Sequence, residues 1–496
     1  MKTSKIFIWL LAIGIVLLTL TFVFPSDGIT IAKSTLRFEH NDFDSIKSQV
    51  DYIITDIHLD SLFEKFNTSS EPFDSVAYID SITKTLAIQD SIRKTEERTT
   101  AQQNYLSHII NSISPIVFPL DSDSLINFKY FDQLFSQLNS ADSLAINIAH
   151  YGDSQIEEDR ITLTLRRHLQ EKFGGLGIGL ISTFPLIGSR TVAQNTTPEP
   201  KRYALWGKKS LRRTENNHYG PIGHTAVLND NKISINLVPR QQKGSIYSAQ
   251  QCSQLTLITL PQDTIDLTYN GKYSCIKKEN DLIQFNTYQL QDSTTRLRLT
   301  LQGNGDIYGL RLHGKTGVTV DNIAMRGSSG TIFTNNNPQQ LAAYFKHTNT
   351  QLIIMQFGGN SMPFTRTKQG IDEYITRLVK QVEFMHNQAP QAAILFIGPS
   401  DMPTRINGKM QTYPMIPYFD KQMSAAMQKR GFAYWSMFQA MGGEGTMLEW
   451  INKGWAANDF IHFSGRGASI IGEELFKAIM EEYDFYLQRQ ARQQND

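Results

Sequence analysis

The segment from Ser143 to Phe173 constrains the fold more than any other stretch of the chain. Leu144, Ile146 and Ile148 alternate with Ala145, Asn147 and Ala149, and the run stops abruptly at His150, Tyr151, Gly152, Asp153 and Ser154. A period of two predicts a strand, and the polar glycine-containing stop predicts a tight turn. Beyond it Ile156, Ile161, Leu163, Leu165, Leu169 and Phe173 recur at helical spacing. Acidic Glu157, Glu158 and Asp159 precede basic Arg166, Arg167 and Lys172, the order that complements a helix dipole. Strand, serine turn and helix together predict an open α/β sheet in which Ser154 sits at the carboxyl end of a strand, where ligands bind. Its hydroxyl would lie beside free backbone N–H groups of the helix start, as a nucleophile requires.

A serine hydroxyl needs a base, and the base needs an orienting acceptor. Asp459 and His462 supply both within the short segment Asn458 to Ser464, just before a helical run from Gly467 to Tyr483. Between them and Ser154, Leu352, Ile353, Ile354, Met355 and Phe357 predict a buried strand ending in Gly358, Gly359 and Asn360. The Asn360 amide is a candidate donor to an oxyanion, although Gly-Gly-Asn is also ordinary turn chemistry. Gly-Asp-Ser and Asp-x-x-His are each weak evidence alone, so their order along the chain carries the weight.

Gly152-Asp153-Ser154, a central glycine, Gly358-x-Asn360 and Asp459-x-x-His462 resemble the four ordered blocks of the SGNH/GDSL hydrolase superfamily. The resemblance implies a flavodoxin-like three-layer parallel sheet. It gives Ser154 the role of nucleophile, His462 that of general base, and Asp459 that of the base's partner. It implies an oxyanion hole formed by Ser154 N–H, a glycine N–H and the Asn360 side chain. Asp321 to Gly327 resembles the second block, which selects Gly327 over Gly330; the third block departs from the family pattern in having Ser361 after Asn360. The basic helix with the Gly174 to Gly179 run, and the Met441 to Trp455 segment before Asp459, resemble the peptidoglycan O-acetylesterase branch. That likeness implies a serine esterase removing O-acetyl groups from envelope carbohydrate. An acetyltransferase with the same triad and a non-catalytic glycan-binding scaffold are the alternatives.

The first and second blocks stand about 160 residues apart, far more than a βα connection needs. Short alternating runs such as Leu255, Leu257 and Leu260, then Ile265, Leu267 and Tyr269, then Leu297, Leu299 and Leu301 are separated by Gly, Asn and Pro turns. They predict an antiparallel β-sandwich inserted over residues 190–320 and dividing the hydrolase into residues 122–189 and 321–496. The resembled branch carries a carbohydrate-binding-module-like insert here. Tyr203, Trp206, Tyr219, Tyr247 and Tyr308 are candidates either for stacking on sugar rings or for the core.

The N-terminus gives an address. Lys2 and Lys5 precede 19 uncharged residues, Ile6 to Phe24, close to the roughly 20 that span a bilayer. Phe22, Val23, Phe24 and Pro25 replace the small residues of a cleavage site, so residues 1–28 are expected to be a signal anchor. The catalytic body is then expected in the periplasm of a two-membrane host, or secreted if the segment is cleaved. Residues 29–121, where Asp-Ser recurs at Asp44, Asp60, Asp74, Asp80 and Asp90, read as a helical spacer. The 48 Lys and Arg balance the 47 Asp and Glu, which argues against a nucleic-acid partner. With no zinc spacing and no HExxH, no metal or cofactor is expected. Cys252 and Cys275 either pair or stand as two free thiols.

Overall fold

The computed structural model describes residues 115–185, 188–213, 215–240, 252–290 and 296–495, with parts of 29–36 and 87–108. Residues Thr95–Asp496 form one compact unit and Met1–Lys94 another. In the larger unit α1 (Asp132–Asn139) leads to β1 (Ala145–Gly152) and α2 (Thr162–Phe173). Nine antiparallel strands follow: β2 (Gly179–Ile181), β3 (Val192–Thr197), β4 (Lys201–Ala204), β5 (His224–Asn229), β6 (Ile233–Pro239), β7 (Gln254–Tyr269), β8 (Lys272–Lys277), β9 (Gln284–Gln289) and β10 (Leu297–His313). The chain then resumes with β11 (Gly317–Ala324), α3 (Pro338–His347), β12 (Thr350–Gln356), α4 (Lys368–Gln388) and β13 (Ala393–Ile397). A hairpin of β14 (Pro403–Ile406) and β15 (Lys409–Thr412) precedes α5 (Ile416–Lys429), β16 (Ala433–Trp435), α6 (Met437–Ala440), α7 (Thr446–Asn452) and α8 (Gly465–Asn495).

The parallel sheet has five strands in the order β11-β1-β12-β13-β16. Its topological switch point lies between β1 and β12, so the crevice opens beyond Gly152 and Gln356. Side chains alternate between the faces. Ile146, Ile148, Leu352 and Ile354 pack with Leu165 and Leu169 of α2 and Ile471 and Leu475 of α8. Ala149, Tyr151, Ile353 and Met355 pack with Leu341 of α3, Leu378 of α4 and Met423 of α5. Both faces are therefore covered, which is why Asn147 and Ala149 are as buried as the larger residues between them. Each such buried Ile or Leu contributes about 1.5–3 kcal/mol by leaving water.

The insert is antiparallel as expected, and its nine strands are hydrogen-bonded into one continuous sheet. Strand β7 pairs with β9 along its first half and β8 along its second, while β10 pairs in turn with β6, β5 and β2. Register shifts between Gly303 and Gly305 and between Ile307 and Gly309 bend the long strands around an interior of Leu237, Leu257, Ile265, Leu299 and Leu310. The boundaries also move. Leu310–Leu312 pair with Gly179–Ile181, so the insert starts near Gly179, and Gly317 already pairs with Ala145 of the parallel sheet.

The seam between the insert and the parallel-sheet part is a shared core. Trp206, Tyr219, Ile258 and Tyr308 belong to the same buried cluster as Tyr151, Phe333 and Tyr344. Beside it Asp321, fully buried, accepts from Leu180 N–H (2.8 Å), from Asn147 Nδ2 (2.8 Å) and from the Tyr344 hydroxyl. Arg311 of the insert donates to Asn147 Oδ1 (2.8 Å) and lies with its Nε 3.6 Å from the same carboxylate. Thus Trp206, Tyr219 and Tyr308 are core, Tyr203 is half-buried beneath the Arg213 guanidinium, and Tyr247 lies outside the described residues.

Within the stretch read as a spacer, Ile29–Ile31 pairs antiparallel with Ser34–Leu36 and Tyr105 is buried against Phe118, Phe128 and Phe485; most of the rest of that stretch lies outside the described residues. The membrane span over residues 6–24 lies outside the described residues; among the described residues no helix is long and apolar enough to cross a membrane. Cys252 and Cys275 are both free, the first buried and the second exposed.

Candidate active site

Ser154 follows the carboxyl end of β1, but the helix does not start there. A 3-10 turn at Glu157–Asp159, with Glu158 and Asp159 at positive φ, intervenes before α2. The Arg160 guanidinium holds this irregular segment by donating to the carbonyls of Glu157 (3.0 Å), Ser154 (2.8 Å) and Phe463 (3.4 Å). The donors beside Ser154 therefore come from the turns and not from a helix N-terminus.

Asp459 and His462 sit in a loop closed by Ala457 N–H to His462 O (2.8 Å) and Ser464 N–H to Trp455 O (2.9 Å). Trp455 and Phe463, which flank it, both pack against the Trp450 ring. Phe460, between the two polar residues, has φ +64°, an unfavourable conformation for a bulky residue. The loop brings His462 Nε2 to 2.8 Å from Ser154 Oγ and His462 Nδ1 to 2.7 Å from Asp459 Oδ2. A carboxylate only accepts, so Nδ1 carries the hydrogen and Nε2 is left to accept from the serine hydroxyl. Burial pushes the Asp459 carboxyl up, but hydrogen bonds from the His462 N–H, its ring and the Ile461 N–H outweigh that and hold it below the usual range.

Gly327 and Gly330 are separated by their surroundings. Met325–Ser328 form a turn closed by Ser328 N–H to Met325 O (2.9 Å), with Gly327 at its third position and φ +73°. A Cβ on Gly327 would meet nothing within 4 Å, whereas one on Gly330 would lie 2.6 Å from the Phe357 ring. Gly327 lines the depression that holds Ser154, Asn360, Asp459 and His462. Neither the Ser154 nor the Gly327 backbone N–H meets a protein acceptor among the described residues.

Asn360 is in place but occupied. Its Nδ2 donates to Asp153 Oδ2 (2.9 Å) and to Ser328 O (3.1 Å). The cause is Asp153, only 4% exposed, which draws in the Asn360 amide and the Gln155 N–H (3.0 Å). Burial raises the Asp153 carboxyl to about 6, against the lowering effect of those hydrogen bonds and of His462. On the other side of Ser154 a second depression is walled by Pro363, Pro399, Met402, Met437 and Ile461, with the Phe364 ring 86% exposed at its rim. Gln155, Arg160, Glu157 and Arg326 were not singled out as site residues from the sequence; only the spacing of Arg160 and Glu157 within the turn after Ser154 hints at them.

No protein-family model and no curated protein matches the chain. Among solved structures it is similar to one described as a peptidoglycan O-acetylesterase in action, at 20% identity and a TM-score of 0.58, over 72% of this chain and 96% of that one. A family two carbohydrate esterase from Cellvibrio japonicus matches at 12% identity and a TM-score of 0.25, over 60% of this chain and 99% of that one. A salicylyl-acyltransferase from a tetracycline biosynthetic pathway matches at 11% identity and a TM-score of 0.27, over 59% and 98%. The last two likenesses are too low to argue from. With its parallel strand order, its insert after the first βα unit and its likeness to the first of these structures, the chain has the fold of the SGNH hydrolases.

Proposed function

We propose that the chain is a serine esterase that removes O-acetyl groups from envelope carbohydrate, peptidoglycan first among them. One observation carries the reading: Ser154 Oγ, the His462 ring and the Asp459 carboxylate form a hydrogen-bonded chain in the depression that Gly327 also lines, where the Ser154 and Gly327 N–H groups meet no protein acceptor among the described residues. The likeness to the peptidoglycan O-acetylesterase structure supports the choice of ester and sugar.

In this mechanism His462 Nε2 takes the Ser154 proton as Oγ attacks the acetyl carbonyl. The negative oxygen is held by the Ser154 and Gly327 N–H groups, and Asn360 joins them by turning one amide hydrogen from Ser328 O or Asp153 to the substrate. A donor of this kind is worth about 10²–10³ in kcat. The C–O bond to the sugar breaks, the sugar oxygen leaves with the proton from His462, and an acetyl ester remains on Ser154. Water, deprotonated by His462, then releases acetate and restores the serine. The insert holds the polymer beside the cleft, and the run from residue 6 to 24 anchors the enzyme in the inner membrane with its body in the periplasm.

Acetate release from O-acetylated peptidoglycan by the full chain tests the reading, with an added acceptor glycan assayed in parallel for acetyl gain. Release of acetate that requires Ser154 is the expected result. Acetyl gain on the acceptor without free acetate would make the enzyme a transferase, and neither would leave a scaffold.

A further inference from the structure

Arg326 occupies the tip of the turn that carries Gly327, at the second position of Met325–Ser328. Its side chain is 59% exposed, yet it is not loose. Nε and one Nη donate to Glu157 Oε2 at 2.9 and 2.5 Å, and that carboxylate is itself buried, with the Arg160 guanidinium 3.9 Å away on the same oxygen, so two hydrogen bonds to one buried acid fix the Arg326 guanidinium in place. The other Nη has no partner among the described residues. The acids of the same wall are engaged elsewhere: Glu158 faces Arg190 (3.4 Å), and Asp459 gives its two oxygens to the His462 and Ile461 N–H groups and the His462 ring. Arg326 also borders two depressions at once, the one that holds Ser154 and the one that reaches the insert at Trp206 and His224. A pre-oriented guanidinium with spare donors is suited to a carboxylate, because its fork geometry matches the two oxygens and little side-chain freedom is lost on binding.

We infer that Arg326 is a specificity-determining residue that reads a carboxylate on the acetylated sugar or its neighbour, so that the substrate class is an acidic acetylated glycan. The inference rests on the serine-esterase reading and narrows it. It is tested with the full-length protein on a matched pair, the 6-O-acetyl esters of N-acetylmuramic acid and N-acetylglucosamine, which differ in the carboxylate-bearing lactyl ether. The wild type should prefer the acidic ester, and the preference should shrink as salt screens it. Arg326→Ala should lower the ratio of kcat/KM for the two esters at least tenfold, chiefly through KM for the acidic one. Arg326→Lys, which keeps the charge and loses the fork, should recover part of the ratio. Should Arg326→Ala fold poorly because the buried Glu157 loses two of its hydrogen bonds, the double variant Arg326→Ala with Glu157→Gln removes that charge and the same ratio is read. Equal losses on both esters would make Arg326 a support for the turn and overturn the inference. An unchanged ratio would overturn it too. Failure of the wild type to hydrolyse either ester would instead overturn the esterase reading itself.

Discussion

At the scale of single residues the proposed chemistry rests on three side chains acting as one unit. Ser154→Ala should lower turnover of a chromogenic acetyl ester to no more than a few per cent while leaving the circular dichroism spectrum and melting point nearly unchanged. His462→Ala should do the same, and the double variant should be little worse than either, since neither group works without the other. Residual activity above a few per cent in Ser154→Ala would assign the nucleophile elsewhere. Asp153 adds a pH dependence of stability. Burial raises its folded-state value to about 6, so its protonated form is the stabilised one; the contribution is full below the ordinary carboxylate range and is lost as pH rises through 6. Asp153→Asn cannot ionise, so the variant should gain on the wild type between pH 4 and pH 7 by up to about 3 kcal/mol. Urea unfolding at the two pH values measures the gain, and a constant gap would mean that Asp153 ionises normally. The sequence named Asp153 as part of the turn, but only the closed environment around it reveals why its charge is costly.

At the scale of elements, the turn after β11 separates two glycines that one sequence pattern leaves close together. Gly330→Ala would push a Cβ to 2.6 Å from the Phe357 ring at φ +80°, so it should cost about 2–4 kcal/mol through strain and overpacking. Gly327→Ala meets open space at φ +73° and should cost only about 1–2 kcal/mol, while disturbing the N–H beside Ser154 and lowering kcat more than tenfold. Unfolding midpoints and turnover of the two variants together check both statements; the reverse ranking in turnover would give the oxyanion role to Gly330. Regular elements were legible where periodicity is strong. The alternation from Leu144 onward marks β1, and the apolar run at Leu352 marks β12. The start of α2 was misread, because the spacing of Ile156 and Ile161 fits a helix while the bonds from Arg160 to three carbonyls, one of them distant in sequence, impose a turn. Strand β2 escaped notice because three residues have no period, and its partner lies more than a hundred residues away in β10.

At the scale of the whole molecule, the insert reads in sequence as a separable module, with its own alternating strands and turns. Its interior fits that picture, but the face it turns to the hydrolase does not. Trp206, Tyr219 and Tyr308 complete a core begun by Tyr151 and Phe333, and no local pattern distinguishes an aromatic residue that closes a seam from one that meets a sugar. Excising the strands would uncover that surface, so a shortened chain is expected to aggregate and not to survive as a small esterase. The buried network at the seam permits a gentler test. Among the described residues Arg311 is the only insert side chain hydrogen-bonded to Asn147, and its guanidinium lies beside the fully buried Asp321. Arg311→Met keeps much of the volume and removes that cation, leaving Asp321 with its neutral donors Asn147, Tyr344 and Leu180. Breaking a buried pair in this way typically costs about 3–5 kcal/mol, and the three remaining donors place this case near the lower end. Because Thr95–Asp496 is one compact unit, the loss should appear in both parts together. Native-state hydrogen exchange should show protection falling by the same free energy in β7 and β10 of the insert and in β1 and β12 of the hydrolase. Loss confined to the insert strands, with the parallel sheet and ester turnover untouched, would mean that the seam is an attachment between independent domains and that the insert acts only by holding the polymer.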